Sequence, residues 1–320
     1  MLRVNEVISP VLSSPAGKCI VWARSTFRAH CSVHSNKSAI SKTDCFRVAF
    51  SLQSSHWRLG EEVATTVVAK QPAFLHDRGT WSARDDRIPT VVWLAIFWLG
   101  ILGGFGLDIP RYLHEKPEPP LVAHIHAVVF TIWLLIMTAQ VLMVVRDRVA
   151  WHRRFGWFAA IWTCVMAVLG PWAALSSLAT NLRTPGFTPA FLSINIVDIA
   201  GFLIFIAWGL ASRANPAAHR RLMMLAMVAI ADPGFARITS NLWREPKSAL
   251  AWFGFYFYGN IILLVFMAGW DWHQRRLMRQ FVIGASAFLV ALYIAAVLYF
   301  WPPRQALARS WVQAWANMTT

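Results

Sequence analysis

The sequence predicts an all-α protein, a polytopic transmembrane helix bundle of about seven spans. Three observations lead to this fold class. Residues 121–145 contain no Asp, Glu, Lys or Arg, and an apolar stretch of that length is typical of a transmembrane helix. The chain is 57% hydrophobic with a mean hydropathy of +0.47, which is too apolar for an ordinary soluble domain. Its 18 tryptophans fit a bilayer protein, because indole rings favour the membrane interface.

The N-terminal segment, residues 1–87, has a different composition from the rest of the chain. Residues 1–60 are rich in serine and basic residues, contain only the acids Glu6 and Asp44, and show no sustained apolar periodicity. This predicts a largely disordered cytosolic segment. The composition also resembles an organelle transit peptide, and an extension from an upstream start site is a third interpretation. The cysteines show no C-x-x-C or zinc-ligand spacing, so neither a metal site nor a disulfide framework is predicted.

Seven apolar stretches of roughly 20–25 residues follow, each long enough to cross a hydrocarbon core of about 30 Å. They lie at residues 88–107, 121–145, 155–179, 190–211, 221–240, 250–270 and 280–301. The pattern indicates one leading helix followed by three hairpins, within a transmembrane domain that covers residues 88–301. Residues 302–320 are expected to form a short external tail, with its tryptophans at the membrane surface.

The charges of the connecting loops alternate along the chain. The arginine-rich loops are 146–154, 212–220 and 271–279. The loops with mixed or nearly neutral charge, each containing proline, are 108–120, 180–189 and 241–249. By the positive-inside rule the arginine-rich loops face the cytoplasm, which predicts a multi-pass inner-membrane protein with a cytoplasmic N-terminus. Because the basic residues serve topology, the net charge of +15 does not indicate a nucleic-acid partner; the predicted partner is the lipid bilayer.

Polar residues within the spans are predicted to converge on the outer half of the bundle. Such groups are costly in a bilayer and normally face the protein interior, either paired or hydrated. The candidate ligand-binding residues are His126, Gln140, Asn195, Asp198, Asp232, Arg237 and Asn260. In one interpretation an aspartate pairs with Arg237 and the amides tie helices together. In the other, these side chains bind a small ligand, an ion or a proton.

The tripeptide Asp232-Pro233-Gly234 favours the second interpretation. Proline removes a backbone hydrogen bond and glycine adds conformational freedom, so the fifth span is predicted to kink or break beside its aspartate. Broken helices at mid-depth are where transporters build binding sites. A mid-depth aspartate with Arg237 towards the outside also predicts direct pairing, or a shared ligand, between these two residues.

Three histidines, His152, His219 and His273, follow a common pattern at the inner face, where each stands beside arginines. They are either interfacial anchors, with the arginines binding lipid phosphate, or parts of a site at the cytoplasmic mouth.

The pattern H-x-H…Q…H-R-R-x-G, carried by His124, His126, Gln140, His152 and Gly156, resembles a helical hairpin of uncharacterised bacterial multi-pass membrane proteins. It is also distantly similar to the cytochrome b561 and ferric-reductase-like group, whose helices carry haem-ligating histidines. That resemblance makes haem b the candidate cofactor of the alternative function. Only the histidines of the inner face share one depth, so His152 and His219 are the candidate axial pair. The arginines beside them are expected to hold both histidines at the wet boundary, so no strong haem absorption band is predicted.

Three classes of function stay open. The leading one is transport or sensing through an intramembrane polar site for a small ligand or ion. The second is a b-type haem or quinone-linked redox protein, and the third is a structural or assembly protein without a site. The sequence leans against an enzyme, because it shows no hydrolytic dyad and no phosphate-binding glycine loop.

Overall fold

The computed structural model describes residues 13–14, 17–18 and 86–319. In the N-terminal unit, Ser13–Ser14 (β1) and Gly17–Lys18 (β2) pair as a two-residue antiparallel ladder. The disorder predicted for residues 1–87 concerns positions that lie almost wholly outside the described residues.

The rest of the described chain is helical. Its helices are α1 (Arg87–Leu113), α2 (Leu121–Val145), α3 (Val149–Thr180), α4 (Leu192–Ala211), α5 (Pro216–Val228), α6 (Asp232–Leu242), α7 (Ala249–Tyr256), α8 (Tyr258–His273), α9 (Arg279–Phe300) and α10 (Pro302–Thr319). Taking α5 and α6 as one segment, six helical segments are long and apolar enough to cross a membrane. The bent pair α7–α8 makes a seventh if it is counted as one span. The predicted all-α membrane bundle is therefore confirmed.

The bundle has two ends, which we name from their turns. The basic end is formed by the turns at 146–148, 212–215 and 274–278, and the proline end by those at 114–120, 181–191 and 243–248. Helix α5 begins at the basic end, where Pro216 occupies the first helical turn and the Asn215 side chain accepts the Ala218 backbone N–H at 3.2 Å.

The fifth span is broken where the sequence predicts it. Helix α5 ends at Val228, and α6 begins at Asp232 with Pro233 in its first turn. The sixth span is broken too, which the sequence did not predict: α7 and α8 meet at an angle of 67° at Phe257. Gly259 packs directly on the ring of Phe235 just after this bend, at a distance that leaves no room for a side chain.

Helices α1 and α6 cross at glycines. A Cβ atom added to Gly104 would lie 1.7 Å from the carbonyl oxygen of Gly234, and one added to Gly100 would lie 2.1 Å from the nearest ring atom of Phe235. Small residues at both positions let the two backbones approach, as at many membrane helix interfaces. This close crossing fixes the position of the first turn of α6, and with it Asp232.

The segment 302–320, expected at the membrane surface, forms helix α10 at the proline end. It packs against α3, where Trp315 donates to Ser176 Oγ at 3.2 Å. Arg304 also donates to the Ala190 carbonyl at 2.6 Å, and Val312 is fully buried. The tail is therefore part of the helical assembly.

Candidate functional site

Two aspartates meet inside the bundle. Asp198 comes from α4 and Asp232 from the first residue of α6, and their carboxyl groups interact side chain to side chain. Asp232 is 0% exposed, and Asp198 is half-buried with a buried Oδ1. Both lie within apolar spans, so the structure brings together two carboxyl groups in an environment that disfavours negative charge.

Most of the side-chain oxygens at this site receive no hydrogen bond. Among the described residues, no hydrogen-bond partner is found for Asp232 Oδ1, Asp232 Oδ2, Asp198 Oδ1 or the Asn260 Oδ1 atom. A buried polar group left unpaired costs roughly 1–3 kcal/mol. Several such atoms lie around one break in the helices, and each keeps unused hydrogen-bonding capacity.

The two broken spans meet at this site. Asn260, in the first turn of α8, donates its amide to the Val228 carbonyl at 2.9 Å, and Val228 is the last residue of α5. Tyr258 donates its hydroxyl to the Phe235 carbonyl at 3.0 Å. The start of α8 therefore contacts both sides of the break that carries Asp232.

A stack of three aromatic side chains joins α7 to the end of α9. Tyr256, the last residue of α7, is close enough to interact electrostatically with both aspartates. Its ring stacks on Trp252 at 4.6 Å, and Trp252 stacks in turn on Tyr299 of α9 at 4.5 Å. Trp252 is fully buried. These three side chains, which we call the aromatic stack, connect α7 to α9.

Arg237 forms its ion pair with Asp108 and not with Asp232, so direct pairing, one of the two predicted alternatives, is not observed, whereas a shared ligand stays a prediction. Arg237 donates to Asp108 of α1 at 2.9 Å, and its side chain lies over the Phe105 ring, with 4.4 Å between Cζ and the ring centroid. Positions 232 and 237 lie about 140° apart around α6, so the arginine points towards α1. Asp108 also binds Arg111 at 2.7 Å, so Arg237 is one of two arginines on this carboxylate, although it remains near enough to Asp232 to interact with its charge.

The remaining predicted site residues are distributed over the bundle. His126 is half-buried on α2, with an unpartnered Nδ1 and its ring 3.9 Å from that of Phe130. Asn195 is half-buried one turn before Asp198. Gln140 lies far from the carboxyl pair, in the part of α2 that approaches the basic end. Of the seven candidates, the structure thus gathers Asp198, Asp232 and Asn260 at one break.

The basic end holds an ion-pair network that the sequence did not predict. Arg220 contacts Asp86 at 2.6 Å, and Trp270 donates to the same carboxylate at 2.9 Å. Arg221 forms a bidentate pair with Asp271, and these two residues are only 2% and 3% exposed. Arginines 220 and 221 therefore bind protein carboxylates instead of projecting as interfacial anchors.

His152 and His219 also meet at the basic end, with ring centroids 6.2 Å apart. His273, in the third turn of the same pattern, is exposed. Among the described residues no group of three or more His, Cys, Asp or Glu side chains is placed to hold a metal ion. The histidine pair thus stands apart from the carboxyl pair, at the other side of the bundle.

The apolar helices and the polar residues buried between them are those of an integral, multi-pass membrane protein. No family model, curated protein or solved structure matches the chain. The resemblance of its H-x-H…Q…H-R-R-x-G hairpin to bacterial membrane proteins therefore stays a prediction.

Proposed function

We propose that the protein binds and releases a proton at the Asp198–Asp232 pair, in transport or sensing across the membrane. The observation that carries this proposal is the burial of both Asp232 oxygens, without a hydrogen-bond donor, against a second carboxyl group. Two adjacent carboxylates cannot both be ionised in a low-dielectric interior without a compensating cation. A single shared proton removes one charge and supplies the missing donor.

A proton fits the site better than a multivalent ion does. Calcium takes six to eight oxygen ligands and magnesium near-octahedral coordination, whereas two carboxyl groups and one amide oxygen supply fewer. The site also lies between two broken spans, whose ends can shift without breaking a continuous helix. A change in protonation there would alter how α6 and α8 contact each other, which links proton binding to a change in structure.

The proposal includes an orientation. With the basic end in the cytoplasm of an inner-membrane protein, residues 302–320 lie outside. Measured along the helices, Asp232 then lies about 15 Å from the outer end of α6, at Leu242, and about 24 Å from the inner end of α5, at Pro216. The carboxyl pair is nearer the outer surface, and the aromatic stack is the barrier on that side.

Modification by a hydrophobic carbodiimide tests the proposal, because this reagent reacts with protonated carboxyl groups within membranes. We expect mass spectrometry to find label on Asp198 or Asp232 at neutral pH, with less label as the pH rises. Asp147, an exposed carboxylate paired with Arg87, is the internal control and should stay unlabelled. Protection by added Na⁺ or K⁺ would identify a competing monovalent ion at the same pair.

A second variant tests whether the carbodiimide can reach the two aspartates. Trp252→Ala removes the middle ring of the aromatic stack and should increase labelling of the pair. If neither aspartate is modified in the wild type or in this variant, the pair is not protonated and the proposed function is wrong.

A further inference from the structure

A cleft lies at the proline end of the bundle, between the start of α4, the end of α9 and the first half of α10. Its volume is about 230 Å³. Its apolar wall includes Ile196 of α4, Ile294 and Leu298 of α9, and Leu307 and Trp311 of α10. Ile196 and Ile294 are exposed, although they belong to helices long and apolar enough to cross a membrane. The cleft therefore opens towards the hydrocarbon of the bilayer.

The cleft extends from the end of the spans towards their interior. Ile294 lies about 9 Å before the end of α9 at Phe300, and Val197 lies about 8 Å from the start of α4 at Leu192. Trp311 belongs to α10, outside the spans, and indole rings favour the level of the lipid headgroups. The cleft thus covers the depth at which a lipid headgroup joins its acyl chains.

Arg304 brings a charge into this apolar cleft. Among the described residues that line the cleft, only Arg304 is ionised at neutral pH. Its side chain is half-buried, and the one hydrogen bond described for it runs from Nη1 to the Ala190 carbonyl at 2.6 Å. Because a guanidinium group has five N–H donors, most of them remain available to a ligand.

The charge of Arg304 is not balanced by the protein. No carboxylate of the described residues forms an ion pair with it, and burial alone shifts the pKa of its guanidinium, downwards, whereas a nearby carboxylate would raise it. Arginine nevertheless stays protonated in proteins. Ser193, which also lines the cleft, already donates its hydroxyl to the Ala190 and Ala295 carbonyls at 3.2 Å. The cleft therefore offers one positive charge beside an apolar wall.

We propose that this cleft binds one anionic phospholipid from the leaflet at the proline end. Arg304 holds the phosphate, and the first part of an acyl chain lies between α4 and α9. A guanidinium matches a phosphate in geometry, because it can donate two parallel hydrogen bonds to it. An apolar wall that faces the bilayer favours hydrocarbon over water in the cleft. The site is separate from the carboxyl pair, so it does not depend on the proposed proton site.

The charge at the cleft determines which lipid fits. Phosphatidylglycerol carries one net negative charge and balances Arg304, whereas the amine of phosphatidylethanolamine already balances its own phosphate. Inorganic phosphate would satisfy the arginine but would leave the apolar wall uncovered. Phosphatidylglycerol is therefore the ligand to test.

Native mass spectrometry of the full-length protein counts the bound lipids. Delipidated protein in detergent is titrated with phosphatidylglycerol and, separately, with phosphatidylethanolamine. We expect one phosphatidylglycerol per chain to bind more tightly than any phosphatidylethanolamine. Arg304→Gln should weaken this binding at least about fivefold, the contribution of one arginine at a lipid surface, and Arg304→Lys should restore most of it. The matched control is Arg309→Gln, which removes the same charge from the same helix, outside the cleft, and should bind like the wild type.

The apolar wall is tested independently of the charge. Ile196→Trp adds a large ring at the mouth of the cleft and should abolish the tight binding of phosphatidylglycerol. Ile204→Trp is its control, because it adds the same ring to an exposed position two turns further along α4 and outside the cleft. Both positions are exposed, so neither tryptophan has to enter the protein core.

Phosphatidylglycerol with a photoreactive diazirine near the start of its acyl chain locates the bound lipid. We expect the label within residues 192–197 of α4 and 294–298 of α9. The proposal is overturned if Arg304→Gln and Arg309→Gln bind phosphatidylglycerol equally, or if the label falls on other helices. It is also overturned if Ile196→Trp breaks up a dimer that the wild type forms, since a second copy of the chain would then cover the cleft.

Discussion

Replacing Gly104 by alanine tests the helix crossing that positions Asp232. The added Cβ would lie 1.7 Å from the carbonyl oxygen of Gly234 and 2.6 Å from its carbonyl carbon. Both are backbone atoms and cannot rotate away, so α1 and α6 must separate by more than about 1 Å to restore van der Waals contact. Overpacking of this kind costs about 1–3 kcal/mol, offset in part by the higher helix propensity of alanine.

The assay is thermal unfolding of purified protein in detergent. We expect Gly104→Ala to lower the melting temperature by several degrees, because about 2–4 °C accompany each kcal/mol in a domain of this size. Gly106→Ala is the matched control: it lies on the same helix, and its added Cβ would meet no atom within 4 Å. Its stability should be unchanged or slightly higher. Equal melting temperatures for the two variants would refute the close crossing.

Two ion pairs give further predictions. A double-mutant cycle between Arg237→Gln and Asp108→Asn should show a coupling of about 0.5–3 kcal/mol, and the coupling between Arg237→Gln and Asp232→Asn, which form no ion pair, should be smaller. Coupling only in the second cycle would contradict the observed pairing. Arg221→Ala should destabilise the bundle by about 3–5 kcal/mol, since it leaves the Asp271 carboxylate buried and unpaired. A loss below about 1 kcal/mol, typical of a surface pair, would show that this pair is hydrated.

The sequence predicts the fold because a membrane helix can be recognised from the hydropathy of its own residues. Hydropathy locates the spans, and loop arginines mark one end of the bundle. The break beside Asp232 is also local, since Pro233 and Gly234 encode it. The bend at Phe257 carries no proline, and Gly259 signals a close contact only once its neighbour Phe235 is known. Sequence reasoning therefore found one broken span and missed the other.

The sequence predicted those site residues whose positions follow from their depth in a span and their face of a helix. The convergence of Asp198 and Asp232 follows from their depth in neighbouring spans. The partner of Arg237 could not be found this way, because Asp108 reaches it only through the glycine crossing of α1 and α6. The same holds for Asp86, whose contact with Arg220 joins residues 134 positions apart.

Infrared spectroscopy of the carboxyl groups tests the central claim most directly. A protonated carboxyl group has a C=O stretching band distinct from that of a carboxylate, and its frequency shifts in deuterated water. We predict such a band at neutral pH in the wild type, lost or strongly altered in Asp232→Asn and in Asp198→Asn, and unchanged in Asp147→Asn. A wild-type spectrum without a protonated-carboxyl band, or one whose band survives both aspartate substitutions, would contradict the account.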